Sequence, residues 1–370
     1  MFLLVYCVIG IIGIISIIEI IKIIHGGNGM QHEITEAKLL LDEKGNLAEP
    51  GFARKLLPIY RRGDIKASNM RIKEWDYYLI NNGKFALALT IDNNGYMNMN
   101  SVSLLNFEEK WEITNSPIGF FPGRNPVLPE TSAKGDVELK GKGHQLKFEN
   151  DGTGVRILTA EMEKFGPDGK LTAFVKLFDE PEESMVICTP FEKDGHFYYN
   201  QKINCMRAEG TVTYGGKKYV FNPEDSFGVL DWGRGVWTYH NTWYWGSASY
   251  QVDGVPFGWN IGYGFGDTSA ASENMLFYNG KAHKLSQVKF NIPGGEKDFL
   301  SPWTFTSDDG RFEMDFLPVI DRKSCTDVKL IKSDQHQVFG LFTGKAVLDD
   351  GKVIEIKDFP GFAEKVENKW

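Results

Sequence analysis

The sequence is poor in the residues that build metal sites and disulfide frameworks. Its four cysteines, Cys7, Cys188, Cys205 and Cys325, show no Cys-x-x-Cys spacing. Because Cys7 lies in an apolar N-terminus, three remain, and an odd number favours a reducing compartment over a set of disulfides. The seven histidines occur singly, without a second His or Cys at metal-ligand spacing. We therefore predict neither a metal site nor a bound cofactor.

Motifs for nucleotide binding and nucleophilic hydrolysis are absent as well. There is no G-x-S-x-G turn and no P-loop, and the glycines of GYGFG at 262–266 lie in a predicted strand with no helix after it. The net charge is -8 and Lys/Arg clusters are lacking, which excludes nucleic acid as an expected partner. An apolar content of 42% with 24% charged residues is typical of a folded globular chain.

One long hydrophobic run stands at the N-terminus. MFLLVYCVIGIIGIISII contains no charge and has the minimum length of a membrane-spanning helix, and Lys22 after it favours a cytoplasmic main domain. Alternatively, Met30 opens an ordinary soluble protein, and residues 1–29 are an extension from a wrongly chosen start codon. The predicted location is therefore cytoplasmic, or membrane-anchored through residues 1–24 if that segment is real.

Helix signals are few, whereas turn signals of one kind recur along the chain. Asn-Gly and Asp-Gly suit type I′ turns between antiparallel strands. Beyond Met30 there are nine, at Asn82, Asn94, Asp151, Asp168, Asp194, Asp253, Asn279, Asp309 and Asp350. Short alternating apolar runs separate them, and no repeat of twenty or more residues occurs. We predict an all-β protein with two barrel or sandwich units, residues 30–200 and 201–370.

The hairpin around Asp253-Gly254 holds most of the candidate binding residues. A two-residue turn there places Trp245 opposite Gly262 and Trp243 opposite Gly264. The two indoles then share a face with Ser247 and Asn260. Either this face lines a ligand cavity, or the indoles simply cover the glycines. Further ligand-binding candidates precede and follow the hairpin: Trp237, Glu273 and Asn274.

Charged groups come just before this hairpin, in the segment DWGRG. Its glycines predict a loop with Asp231 and Arg234 three residues apart. One interpretation is a structural ion pair. The other is that Asp231 faces an apolar cavity, where burial would raise the pKa of its carboxyl group and suit it to proton transfer.

Several segments, taken in order, resemble the bacterial proteins of domain of unknown function 2804. The resemblance extends from Met30 to Trp370 and rests on these segments: ESMVICTPF, HFYYNQKINCM, EGTVTYGGKKYVF, SFGVLDWGRGVW, NTWYWGSAS, FGWNIGYGFGD and ENMLFYNGK. More remotely, a G-x-V hairpin, an Asp in the following loop and a W-x-W strand are similar to a lipocalin-like superfamily. That superfamily includes AttH-like proteins, carotenoid hydratase and tocopherol cyclase.

The remote resemblance implies two consecutive antiparallel lipocalin-like barrels with a hydrophobic ligand cavity near their junction. Enzymes of that superfamily add a proton to an isoprenoid double bond and quench the cation with water or an internal oxygen. Carried onto this chain, Asp231 is the acid, Arg234 sets its charge state, and Trp243 and Trp245 shelter the cation. Two alternatives stay open: a non-catalytic lipid-binding protein, and a structural or interaction protein whose tryptophan face is covered by protein.

Overall fold

A computed structural model describes residues 31–120, 125–328 and 331–369, and strands dominate them. The first group of strands is β1 (Lys38–Leu39), β2 (Gly51–Ala53), β3 (Pro58–Ile59), β4 (Ile72–Asn81), β5 (Phe85–Asn93), β6 (Met97–Asn106), β7 (Trp111–Asn115), β8 (Ile118–Phe120), β9 (Val137–Gly141), β10 (His144–Asn150), β11 (Arg156–Gly166), β12 (Gly169–Phe178), β13 (Met185–Pro190), β14 (Phe197–Tyr214), β15 (Lys217–Phe221) and β16 (Phe227–Val236).

The second group of strands follows a short connection at 237–239. It consists of β17 (His240–Val252), β18 (Val255–Tyr263), β19 (Met275–Tyr278), β20 (Lys281–Lys284), β21 (Val288–Asn291), β22 (Trp303–Ser307), β23 (Phe312–Val328), β24 (Ile331–Val347) and β25 (Val353–Lys369). Helical structure in the described ranges is limited to single turns at Arg62–Asp64, Asn69–Arg71 and Pro293–Glu296. The predicted all-β class is confirmed.

Fourteen strands form the first sheet, which is antiparallel and curls into a barrel. Its main order is β7-β6-β5-β4-β16-β14-β12-β11-β10-β9, with β13 and β15 pairing β14 at its two ends. Side chains close the curl where the ladder ends. Asn115 donates from Nδ2 to the carbonyls of Lys164 and Phe165, and Asn100 donates to the carbonyl of Leu139.

The second sheet has nine antiparallel strands in the order β20-β19-β18-β17-β25-β24-β23-β22-β21. It also curls, so that β21 returns beside β18. The predicted register of its first hairpin is confirmed, because Val252 pairs with Val255 and Trp245 with Gly262. At its turn, Asp253 and Gly254 have φ values of 51° and 78°, as a type I′ turn requires.

The division of the chain differs from the predicted one. The sequence places a boundary between residues 200 and 201, but that position lies inside β14 of the first sheet. The sheets change over at 237–239 instead, so residues 201–236 belong with the first sheet. A single 18-residue strand causes the difference, since its first part pairs with β13 and β16 and its last part with β12 and β15.

Three clusters of buried apolar side chains hold this arrangement together. One fills the first barrel and includes Ile80, Leu89 and Trp232. Another fills the second barrel around Trp259 and Phe342. The third lies between the barrels, where the outer face of the first sheet packs on the second. This junction contains the predicted tryptophans.

Candidate active site at the junction of the two sheets

The strand that carries Asp231 and Arg234 separates them instead of pairing them. DWGRG is not a loop but part of β16, and residues three apart in a strand point to opposite faces. Arg234 points into the first barrel, where its guanidinium lies 3.0 Å from Asp76 and 4.1 Å from the Trp232 ring. Asp231 points into the junction. The two side chains therefore do not form the ion pair that the first interpretation predicts.

Two residues of β14 take the place of Arg234 beside Asp231. Lys202 Nζ lies 2.7 Å from Asp231 Oδ1, and the amide of Asn200 donates to the same oxygen at 2.6 Å. Both side chains are buried. Lys202 also lies over the Trp245 ring, 4.0 Å from its centre, which makes a cation–π contact. Asp231, Lys202 and Trp245 thus form one stack across the junction.

Trp245 is enclosed by protein, in contrast to the predicted open face. Its side chain is 5% exposed and packs against Tyr77 and Phe362, with ring centres 5.8 and 4.7 Å away. Its indole nitrogen donates to Asn260 Oδ1 at 2.7 Å. Side chains of both sheets therefore cover the indole at this position.

Glu273 is the residue that occupies the space above Gly262. A Cβ atom on Gly262 would collide with Glu273 Oε1, so the missing side chain makes room for the carboxyl group. Burial raises the pKa of Glu273 to about 7, while Lys202 lowers it and Asp231 raises it further. Oε2 accepts a long bond from the Tyr198 hydroxyl, at 3.4 Å. Among the described residues, Oε1 has no hydrogen-bond donor.

A second carboxyl group, that of Glu364, lies on the other side of Trp245. Glu364 pairs with Trp245 across strands β25 and β17, while Gly262 pairs with Trp245 from β18. Burial raises the pKa of Glu364 to about 7 as well, against hydrogen bonds from Trp243 and Gln337 that lower it. Trp245 therefore stands between two carboxyl groups that titrate near neutrality.

The remaining predicted residues have structural partners around this centre. Ser247 accepts a hydrogen bond from Asn204 at 2.9 Å, and Asn260 donates to the backbone carbonyl of Glu273 at 3.0 Å. Asn274 accepts from the Gly262 amide and donates to the carbonyl of Ser286. These contacts fix the walls of the site.

Aromatic rings fill one end of the junction, and two of them are half-buried. Trp237 is buried there and meets Trp75, Trp243 and Phe265, with ring centres 5.3 to 6.2 Å apart. Trp75 and Trp243 are half-buried, and the Trp243 nitrogen donates to Glu364 at 3.0 Å. The predicted tryptophan face is thus closed at Trp245 and partly open at Trp243.

A cleft of about 160 Å³ opens at the opposite end of the junction. It lies where the ends of β4 and β6 meet the strands β24 and β25, and Phe107, Val319, Leu341 and Pro360 line it. Its volume is below the usual 300 to 1,000 Å³ of small-molecule pockets. The described residues contain no group of three or more His, Cys, Asp or Glu side chains that could hold a metal ion.

Sequence reasoning missed Lys202 and Glu364. Glu364 alternates with Phe362 and Val366 in FAEKVEN, where a charged residue on an apolar face is a signal of a buried ionic group. Lys202 alternates with Asn200 and Asn204 in YNQKINC and carries no such signal. The partners are not predictable in either case, because Trp243 and Glu364 are 121 residues apart and β14 pairs with β16 across the intervening strand β15.

Comparisons with known proteins place the chain in a family. Residues 31–370 match the family described as Domain of unknown function (DUF2804), so the chain belongs to it, as predicted. No curated protein matches significantly.

Solved structures share the fold at low sequence identity. CghA, solved with Sch210972, is 11% identical, with a TM-score of 0.50 over 90% of this chain and 97% of its own. AttH from Nitrosomonas europaea is 11% identical, with a TM-score of 0.49 over 84% of this chain and 96% of its own. Kievitone hydratase from Nectria haematococca is 12% identical, with a TM-score of 0.42 over 90% and 98%.

Proposed function

We propose that this protein binds an apolar or amphipathic small molecule at the junction of its two sheets and transfers a proton to or from it. The observation that carries the proposal is Glu273 Oε1, a buried carboxyl oxygen with no donor among the described residues. A buried polar atom without a partner is costly, so such an atom is a candidate for contact with a ligand.

Glu273 also has the proton affinity that the reaction needs. With a pKa of about 7, its protonated and ionised forms are both populated near neutral pH. General acids and bases work best in that range. We propose Glu273 as the proton carrier and the Asp231–Lys202 pair as the charges that adjust it. Asp231 itself, predicted as the acid from the sequence, is the second candidate for this role.

The rings around the site suit an apolar substrate and a cationic intermediate. Trp245 already holds the Lys202 ammonium group over its face at 4.0 Å. An aromatic face attracts a cation through its negative charge density, so the same type of ring could stabilise a carbocation. Half-buried Trp75 and Trp243 mark the end from which we propose that the molecule enters.

The experiment that tests binding is extraction of the purified protein with organic solvent, followed by mass spectrometry. We expect a stoichiometric apolar or amphipathic compound. The compound class then supplies substrates for a turnover assay with Glu273→Gln, Asp231→Asn and, as a control, the exposed Glu355→Gln. Loss of turnover with retained binding in Glu273→Gln supports the proposal, whereas unchanged product formation in that variant contradicts it.

A non-catalytic role is the second candidate, and the enclosure of Trp245 favours it. Here the buried polar groups would only join the two barrels, in a lipid-binding or a structural and interaction protein. A clean solvent extract, together with a Glu273→Gln variant that is more stable than the parent protein, would support the structural form of this role. A co-purified compound that no variant converts would support the lipid-binding form.

We also propose that residues 1–24 attach the protein to a membrane, with the barrels on the cytoplasmic side. That segment lies outside the described residues, and no helix within the described ranges is long and apolar enough to span a bilayer. Fractionation of the natural host tests this proposal. Recovery in the membrane pellet supports it, and a soluble protein that begins at Met30 overturns it.

A further inference from the structure

Lys284 is a partly accessible lysine whose ammonium group has three oxygen acceptors. Nζ donates to Ser272 Oγ at 2.9 Å, to the carbonyl of Asn274 at 2.7 Å and to the carbonyl of Leu285 at 2.8 Å. Two of these acceptors flank Glu273 in the chain. Lys284 therefore holds the segment 272–274 from the face of β20 that lines the junction, where its Nζ is 5.3 Å from the centre of the Phe52 ring.

A second side chain holds the same segment from the N-terminal end of the described chain. Gln31 accepts from the Ser272 amide at 2.7 Å and donates to the carbonyl of Leu285 at 2.8 Å. The next residue, His32, donates its amide to the carbonyl of Ala270. Gln31 carries no charge, so any effect it has on Glu273 comes through position alone.

We infer that Lys284 is a positioning residue for Glu273: it fixes the segment that carries this carboxyl group and supplies a positive charge near it. The inference rests on the proposed function only in giving Glu273 the role of proton carrier. We give neither Lys284 nor Gln31 a contact with the bound molecule, so both act through Glu273.

The charges around Lys284 agree with this role. Burial lowers the pKa of Lys284 to about 7, Glu273 and Asp309 raise it, and Arg54 and Arg311 lower it. Attraction between two groups is mutual, so the Lys284 ammonium favours the ionised form of Glu273. Because both groups have a pKa of about 7, their titrations are coupled, and each observed titration step reflects the pair and not a single residue.

Loss of the positive charge and loss of the positioning contacts should shift the titration midpoint of Glu273 in opposite directions, and this makes the inference testable. Lys284→Gln keeps a donor but removes the charge, so the titration midpoint of Glu273 should rise by about one pH unit. Gln31→Ala loosens the segment without changing a charge. Water then reaches Glu273 more easily, and its midpoint should fall toward the ordinary value of 4.5.

The measurement is the carbonyl stretch of the protonated acid in infrared difference spectra recorded against pH. The band of Glu273 is assigned by its loss in Glu273→Gln. Lys281→Gln is the matched control, because Lys281 lies on the same strand and pairs with Glu182 at 2.6 Å, away from Glu273. It should leave the midpoint unchanged. Thermal unfolding of each variant shows that it is folded before titration.

A fall of the midpoint in Lys284→Gln, as in Gln31→Ala, would overturn the charge part of the inference. An equal Glu273 midpoint in Lys284→Gln and in Lys281→Gln would overturn the whole inference. If Lys284→Gln does not fold, Lys284→Arg decides. That variant keeps the charge and should hold the midpoint within a few tenths of a unit, and a fall as large as that of Gln31→Ala would contradict the inference.

These outcomes are separate from those of the proposed function. A Glu273 midpoint that shifts as expected, in a protein without a bound compound and without turnover, supports the inference and contradicts the proposed function. Turnover that requires Glu273, together with a Glu273 midpoint that does not change in the Lys284 variants, supports the proposed function and contradicts the inference.

Discussion

Glu273 and Glu364 each keep a proton up to about pH 7, although an ordinary glutamate ionises near 4.5. In the unfolded chain both lose their protons at the lower pH. The unfolded state therefore binds fewer protons than the folded state between pH 4.5 and pH 7. Stability consequently falls as the pH rises through this range, and the loss is complete above pH 7.

Glu273→Gln removes this loss for one group. A pKa difference of about 2.5 units corresponds to about 3 kcal/mol at most. Relative to that of the parent protein, the free energy of unfolding of the variant should increase by on the order of 1 to 3 kcal/mol between pH 4 and pH 8. Urea unfolding at both pH values measures the gain. Parallel pH dependences for the two proteins would show that Glu273 titrates normally.

Gly262 gives a second prediction about a single residue. Ala at this position puts a methyl group where Glu273 Oε1 lies, so the carboxyl group must move. We expect a loss of about 1 to 3 kcal/mol, typical of overpacking, together with a changed Glu273 titration. Gly63→Ala is the control, since no atom lies within 4 Å of an added Cβ there. Equal stability of both variants would contradict the placement of Glu273.

At the scale of strands, β16 places its two charged residues on opposite faces of the sheet. Asp231 meets Lys202 in the junction, and Arg234 meets Asp76 inside the first barrel. A double-mutant cycle tests this sorting. Lys202→Met and Asp231→Asn should couple by about 0.5 to 3 kcal/mol, as residues in contact do. Arg234→Met and Asp231→Asn should be nearly additive, and strong coupling in that pair would contradict the assignment of faces.

The same strand shows what local sequence can and cannot predict. The register of β17 and β18 follows from the turn at Asp253-Gly254, and the sequence predicts it correctly. DWGRG is predicted as a loop because Gly233 and Gly235 are typical of loops. In the structure Gly233 is a strand residue without a side chain because the Trp75 ring lies against it. That ring comes from β4, more than 150 residues earlier.

The candidate site was predictable to a similar extent. Pairing within one hairpin places Trp245 beside Asn260 and Gly262, and this was predicted. Whether Trp245 is open depends on Tyr77 and Phe362, which arrive from β4 and β25. Lys202 could not be joined to Asp231 because β14 and β16 do not form a hairpin and pair across the intervening strand β15. Contacts between distant strands require the whole topology, which hairpin rules do not supply.

For the whole molecule, the change of sheets at 237–239 predicts where the chain can be divided. Tyr239 is 48% exposed and lies between the last strand of one sheet and the first of the other. Two fragments cut there should associate when they are co-expressed, and each alone should aggregate. The second fragment alone would expose Trp245, Phe277, Phe339 and Phe362.

A cut at 200/201, the boundary predicted from the sequence, is the comparison. It divides β14 and should give no soluble complex. Co-purification of the fragments on a tag attached to one of them measures the outcome. If the cut at 200/201 reassembles as well as the cut at Tyr239, the interpretation of the sheets as folding units is wrong.

The bulge of β14 at Asn204 and Cys205 joins the barrels by hydrogen bonds as well as by apolar contact. The Asn204 side-chain amide nitrogen has four acceptors within hydrogen-bond distance, all in the second sheet, and donates to two of them at a time: Ser247, Ser249 and the carbonyls of Ala248 and Trp259. The Cys205 amide donates to Ser249. Breaking this joint means that several buried polar groups lose partners together. A molecule enclosed at the junction would then leave slowly, with a residence time set by how often the barrels separate and not by its own affinity.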